Sequence, residues 1–348
     1  MKRANSFALP LTRQTGKQIL LMNKEIKRIA VFTSGGDAPG MNAALRAVVR
    51  NASFHDLHVY GIYRGYEGMI DGDFERLERG DVGNIIHRGG TILKTARSER
   101  FRTPEGRKAA YESLLAFDID ACVAIGGNGT FTGANIFSEE YDIPFIGIPG
   151  TIDNDLFGTD FTVGFDTAVN TAIDAVDKIR DTADSHNRLF FVEVMGRHSG
   201  YIALNTSIGS GAGSVVIPET NTPIEELIDI LKKGARRKKL FSVIIVAEGN
   251  QTGNAQEIAR MVKEQFDFYD TKVAIIGHLQ RGGSPTAMDR VLASRLGFHA
   301  VEGLLEGREN VMTGLVNNKI KYTPFHEAIV KPKRPDKDLI RMAEILAL

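Results

Sequence analysis

From Lys27 onward, short apolar runs alternate with stretches whose apolar residues recur at helical spacing. Arg28–Thr33 (RIAVFT), Ala121–Gly127, Pro144–Pro149, Leu189–Gly196, Ser214–Pro218, Phe241–Gly249 and Thr271–His278 each predict a strand. All are β-branched or aromatic and bounded by Gly, Pro, Asn or Asp. A helix is predicted from about Met41. Asp166–Thr182 predicts another, because Val169, Ala172, Ile173, Val176 and Ile179 share one face. Pro223–Lys233, Asn254–Phe266 and Pro285–Leu305 keep the same period. Alternation sustained this long implies an α/β fold, with parallel sheets covered by helices on both faces. No repeat and no low-complexity linker marks a domain boundary.

Composition changes this picture in a few places. A chain of 348 residues exceeds one ordinary core, so two domains are expected. With 43% apolar and 25% charged residues it is a globular sequence, not a disordered one. The 43 Lys+Arg balance 43 Asp+Glu, which removes the basic field that non-specific nucleic-acid binding needs. One Cys excludes an internal disulfide framework and a Cys-rich metal site. No apolar run reaches the roughly 18–20 residues of a membrane span, and the reducing cytoplasm is the expected compartment. Residues 1–24 are basic, carry no acid and hold a short apolar patch at Ile19–Met22. Such a stretch suits an organelle transit segment. We read it instead as a disordered tail, or as the product of an upstream start with Met22 as the natural beginning.

Doubly wound sheets bind ligands at the carboxyl ends of their strands, and the glycine-rich and charged loops fall there. Ser34-Gly35-Gly36-Asp37-Ala38-Pro39-Gly40 follows the first strand and opens a helix, a setting for a phosphate or simply a tight turn. Gly126-Gly127-Asn128-Gly129-Thr130 repeats the arrangement, and it fits neither a Walker A loop nor a GxGxxG fingerprint. Two such loops suit a long polyphosphate such as a nucleoside triphosphate. Pro149-Gly150-Thr151-Ile152-Asp153-Asn154-Asp155 follows a third strand. One of its carboxylates can accept a proton while the other holds Mg²⁺, although an Asx-rich turn explains Asn154 and Asp155 as well. Arg97, Arg100 and Arg102 cluster, Glu193–Arg197 and Glu248-Gly249 end strands, and Gly277–Gly283 ends the last one. Arginines at strand ends suit multidentate phosphate recognition.

In this order, SGGDAPGMN, PGTIDND, VEVMGR and GHLQRGGSP resemble the ATP-dependent 6-phosphofructokinases of bacterial type, from about Arg28 to at least Leu305. The resemblance implies two doubly wound, mostly parallel-sheet, Rossmann-like domains with the active site in the cleft between them. An ATP-binding domain would comprise 25–163 plus 279–329. A sugar-phosphate domain would comprise 164–278 plus 330–348. The implied reaction moves the γ-phosphoryl group of ATP to the 1-hydroxyl of fructose 6-phosphate, with Mg²⁺ as cofactor. Asp153 would be the base, beside Thr151. Gly36, Gly127, Asn128, Gly129 and Thr130 would approach the ATP phosphates, and Arg97 and Arg102 would contact the nucleotide. Arg97 and Arg197 join the catalytic set, because charge on the transferring group needs stabilisation. Asn128 and Asp155 would lie near Mg²⁺. Thr151, Asp153, Met195, Gly196, Arg197, Glu248, His278 and Arg281 would hold fructose 6-phosphate. Arg188 and Lys272 would reach it from a neighbouring subunit of a homotetramer.

The chain departs from the family pattern at Asn128, where Asp is usual, and at Lys272, where Arg is usual. Pyrophosphate-using relatives carry Asp and Lys where this chain has Gly129 and Gly150, so both glycines imply ATP. Arg46, Arg50, Arg79, Arg180, Arg237 and Lys239 match the basic residues of an effector site for ADP or phosphoenolpyruvate. The KKGARRKK run alone reads equally as a solvated helix end. Gly213 replaces a Glu that helps hold effector-bound Mg²⁺, which implies weak ADP activation. A pyrophosphate-dependent enzyme and a weakly catalytic nucleotide- or sugar-phosphate-sensing paralogue are the alternatives. No nucleic acid or membrane partner is expected.

Overall fold

A computed structural model describes residues 26–220, 222–238 and 241–347. The expectation for residues 1–24 therefore lies outside the described residues, as does Lys239. The chain runs β1 (Arg28–Thr33), α1 (Met41–Phe54), β2 (His58–Ile62), α2 (Tyr66–Asp71), β3 (Phe74–Leu77), α3 (Pro104–Ala116), β4 (Ala121–Gly126), α4 (Asn128–Tyr141) and β5 (Phe145–Pro149). Next come α5 (Phe165–Asp184), β6 (Arg188–Val194), α6 (Tyr201–Ser210), β7 (Ser214–Val216), α7 (Ile224–Arg236), β8 (Ser242–Ala247), α8 (Ala255–Gln265) and β9 (Asp270–Ile275). The chain closes with α9 (Ala287–Leu305), β10 (Val311–Val316), β11 (Lys319–Pro324), α10 (Phe325–Val330) and α11 (Lys337–Leu346).

Two sheets result. The larger has the order β11-β10-β5-β4-β1-β2-β3, parallel except where β3 and β11 pair antiparallel to their neighbours. The smaller, β7-β8-β6-β9, is parallel throughout. Strands β4, β5 and β8 are buried along their whole length, because helices cover both faces. Alternation along β1 shows this directly. Ile29 and Val31 face α1 and α9, while Ala30 and Phe32 face the Phe131, Phe137 and Phe145 cluster around α4. The first of these cores continues through Val169, Ala172 and Val176 of α5 into Val192, Val194 and Ile245 of the small sheet. One of the three apolar clusters among the described residues therefore runs through both sheets.

The strand order reverses at β1 and β4, which places a crevice at their carboxyl ends. One expectation fails nearby. Strand β9 stops at Ile275, and Gly277–Arg281 is a 3₁₀ turn that opens on Gly277 at φ 55. The Arg97–Arg102 segment likewise does not end a strand. It is a loop running into a 3₁₀ turn at Arg100–Arg102.

Candidate active site

The first two glycine loops are packed against each other by backbone. Ser34 N donates to Ile125 O at 3.0 Å, and Thr130 Oγ1 donates to Ser34 O at 3.1 Å. A Cβ on Gly126 would sit 2.6 Å from Ser34 O, so a glycine is needed for this approach. Helix α4 begins directly after β4, with no side-chain cap and no acid in its first turn. Its leading N–H groups and the positive end of its dipole are left for an anion. Gly129, in that first turn, faces open space, and a Cβ there would meet nothing within 4 Å.

The third loop carries the carboxylates. Asp153 is only 4% exposed, and its Oδ1 has no hydrogen-bond partner. Its Oδ2 lies 3.7 Å from Arg197 Nε. Burial, and then the neighbouring Asp155, push its pKa up to about 6, while Arg197 and Arg281 pull the other way. Burial also raises Asp155, which accepts a 2.7 Å hydrogen bond from Asn128 Nδ2. Asn154 stands between them in the left-handed region at φ 51, a conformation Asn tolerates. Its side chain accepts from Thr162 N at 3.0 Å and donates to Asp160 O at 3.1 Å. Asn154 thus anchors the loop to the 160–162 segment, and Asp153 and Asp155 are presented on either side of it.

The small sheet supplies the opposite wall. Gly196 at φ 144 and Arg197 at φ 52 turn the chain after β6. Glu248 Oε1 holds that turn by accepting from Gly196 N at 3.3 Å and Arg197 N at 2.8 Å. Ser199 Oγ donates to Asp153 O at 2.8 Å, joining the two walls. Gln280 is fully buried; its Oε1 accepts from Met195 N at 2.8 Å and its Nε2 donates to Ala168 O at 3.3 Å. Arg281 donates to Asp37 O at 3.0 Å, and a Cβ on Gly36 would lie 2.8 Å from its Nη1. Together these loops enclose a cleft of 820 Å³.

The phosphofructokinase family model matches residues 28–304, most of the chain. The chain belongs to the phosphofructokinase family. An ATP-dependent 6-phosphofructokinase of Cytophaga hutchinsonii is 58% identical over 92% of this chain and 98% of its own length. An ATP-dependent 6-phosphofructokinase 2 of Bacteroides thetaiotaomicron is 54% identical over 93% of this chain and 99% of its own. Among solved structures, phosphofructokinase from Saccharomyces cerevisiae superposes with a TM-score of 0.83 at 38% identity, covering 87% of this chain. The chain spans 45% of that yeast chain.

Many of the family-type positions meet in the cleft. Gly36, Arg97, Arg102, Gly127, Asn128, Gly129, Thr130, Thr151, Asp153, Asp155, Arg197 and Arg281 all line it. Arg100 does not, because Glu67 and Asp71 bind its guanidinium at 2.7 and 2.9 Å. Met195 is buried, and Glu248 faces the turn it holds. His278 is exposed on the 3₁₀ turn. Arg188 and Lys272 lie near the amino ends of β6 and β9, away from the cleft, where both pair with Asp270 at 3.5 and 2.9 Å. Of the basic set, Arg46 and Arg50 lie on α1, and Arg79 donates to Ser53 O at 2.7 Å. Arg180 donates to the carbonyls of Ser210 and Gly211, and Arg237 is the C-cap residue that follows α7. Gly150 lines the cleft as well, and a Cβ there would lie 3.1 Å from the side-chain ends of Ile125 and Met41, so packing also restricts this position.

Proposed function

We propose that this protein is an ATP-dependent 6-phosphofructokinase, which converts fructose 6-phosphate and MgATP to fructose 1,6-bisphosphate and ADP. One observation carries the reading. Asp153 is a buried carboxylate with an unpartnered oxygen, on a cleft walled on one side by the uncapped N terminus of α4 and on the other by Arg197 and Arg281. The relatives named ATP-dependent 6-phosphofructokinase support it over almost their full length. A pyrophosphate-dependent enzyme fits less well, since Gly129 leaves open the space that an Asp would occupy.

In this reading, Asp153 takes the proton of the 1-hydroxyl as that oxygen attacks the γ-phosphorus, and the bond to the β-phosphate oxygen breaks. Arg97 and Arg197 stabilise the charge on the group in flight, and Arg281 and Arg197 hold the sugar phosphate. The backbone of Gly127–Thr130 receives the ATP phosphates. Mg²⁺ fits Asp155, with the Asn128 side chain beside it. Such an ion binds through one or two carboxylates plus phosphate oxygens, and no group of three or more His, Cys, Asp or Glu ligands forms among the described residues. When bound, Mg²⁺ neutralises charge on the phosphates. The large-sheet unit is the nucleotide side and the small-sheet unit the sugar side. Arg188 and Lys272 act on a neighbouring subunit's substrate in a homotetramer. We place the enzyme in the cytoplasm, as its glycolytic relatives suggest; separately, no helix among the described residues is long and apolar enough to cross a membrane.

A coupled assay with fructose 6-phosphate and either ATP or pyrophosphate tests this. Turnover with ATP is expected; turnover with pyrophosphate alone, or ligand-induced melting shifts without turnover, would overturn it. The pH profile adds a second check. A base with a pKa near 6 works only when deprotonated, so kcat/KM should fall about tenfold per unit below pH 6. The residual rate of Asp153→Ser should lack that part of the limb, which separates it from ionisation of the substrate's phosphate. For regulation, phosphoenolpyruvate needs only the basic residues, whereas ADP also needs the metal that Gly213 cannot help to hold. Fructose 6-phosphate saturation curves should shift with phosphoenolpyruvate and barely with ADP. Strong ADP activation would refute this.

A further inference from the structure

We propose that Lys333 is a positioning residue for phosphoryl transfer, fixing the Asp153–Asp155 loop through Asn154 and tying that loop to α6. The inference rests on the function proposed above. Lys333 lies between α10 and α11, where the chain leaves the large sheet for the last time. Helix α10 packs on α4, and α11 packs on α6. Lys333 Nζ donates to Asn154 Oδ1 at 2.8 Å and to Asp160 O at 3.0 Å. The same ammonium stands 5.2 Å over the ring of Tyr201, the first residue of α6. Tyr201 Oη closes the arrangement by donating to Arg334 O at 2.7 Å.

The consequence reaches the cleft although Lys333 does not line it. Asn154 is a non-glycine residue at φ 51, and such a conformation persists only where its surroundings over-determine it. Lys333 and Thr162 supply that constraint by sharing Asn154 Oδ1. On one side of Asn154 stands the proposed base, and on the other the proposed metal ligand. A displacement of about 1 Å at such a loop costs roughly 10²-fold in rate. The Tyr201 contact adds a reference to the opposite wall, because the turn before α6 carries Arg197 and Ser199, and Ser199 Oγ donates to Asp153 O. Burial draws the Lys333 ammonium down to about 7, against Asp160 and Asp155, which favour its charge.

The test uses the full chain and the variants Lys333→Met, which keeps the apolar stem, and Lys333→Gln, which keeps a shorter donor. With saturating MgATP and fructose 6-phosphate, Lys333→Met should lose about 10–10²-fold in kcat. KM for either substrate should change less than about threefold, and the melting temperature should fall only a few degrees. Lys333→Gln should lose less. A double-mutant cycle with Asn154→Ala supplies the readout that a merely structural role would not move. Acting through Asn154, Lys333→Met should add no more than about a twofold loss on the Asn154→Ala background. Native kcat in folded Lys333→Met, or losses that simply multiply, would overturn the proposal. If Lys333→Met does not fold, Lys333→Gln carries the same comparison. Failure of both to fold makes Lys333 structural and also overturns it. An inactive unmodified protein would bring down the proposed function together with this inference; an active one with unaffected variants would bring down this inference alone.

Discussion

Asp153→Ser should lower kcat by about 10²–10⁴-fold, the usual contribution of a positioned general base. It should also make the folded protein more stable above pH 6. The native carboxyl titrates near 6, whereas an unfolded Asp titrates near 3.8. A raised native pKa means that folding favours the protonated form. The stabilisation is complete below the unfolded value and is lost as pH rises through 6. At pH 8 the native state therefore carries a desolvated charge worth on the order of 2–3 kcal/mol, which Ser removes. Melting curves at pH 4 and pH 8 check this, and the variant should gain only at the higher pH. Near-native kcat would remove Asp153 from its role. An equal change in melting temperature at both pH values would show that burial does not strain this carboxylate. The combination, less activity with more stability, is characteristic of a group held for its chemistry.

Gly129→Asp should reduce kcat/KM for ATP by about 10²-fold while leaving the protein folded. The position has room, since a Cβ there meets nothing within 4 Å. It also lies in the first turn of α4, where an acid is favoured by the helix dipole and where replacing Gly favours the helix. Only the ligand should suffer. A carboxylate about 4 Å from a phosphate near a protein surface is opposed by about 4 kcal/mol, and screening in an open cleft reduces this. The measurement is ATP saturation at fixed fructose 6-phosphate, with melting temperature as the control for fold. An unchanged ATP dependence would place the triphosphate away from the α4 N terminus. Gly150 is a poorer probe of the same idea, because Ile125 and Met41 already crowd it.

Readable strands include those that are near-continuous apolar runs. Strands β1, β4, β5, β6 and β8 each lie within two residues of the predicted span, and β4, β5 and β8 are buried throughout. The edge strands β7 and β9 of the small sheet were also legible, β9 except for its end, but the outer strands of the large sheet carried less signal. In β2 burial alternates with exposure, β3 is mostly exposed, and in β10 and β11 much of each strand is half-buried. Asn317 and Asn318, at φ 49 and 61, form the tight turn between β10 and β11, and that Asn pair was the available clue. Helix α4 was hidden by its Gly-Asn-Gly start and a further Gly133, poor helix formers that the site requires. The cleft was legible because its chemistry sits in contiguous loops. Lys333 was not, because a lysine in KPKRP has no local signature. Only the return of the chain past the Asp153 loop brings it within 2.8 Å of Asn154.

The order in which the large sheet is completed bears on how the chain is made. Strand β5 pairs with β4 on one side and with β10 on the other, and the β10 contact joins Val311 and Met312 to Ile146 and Gly147. During synthesis, β5 emerges long before β10, with the whole small-sheet segment between them. Until that last hairpin leaves the ribosome, Phe145–Pro149 presents an unpaired edge of entirely apolar residues. Such an edge is a template for pairing with another nascent chain, so the interval before Val311 is the aggregation-prone window of biosynthesis.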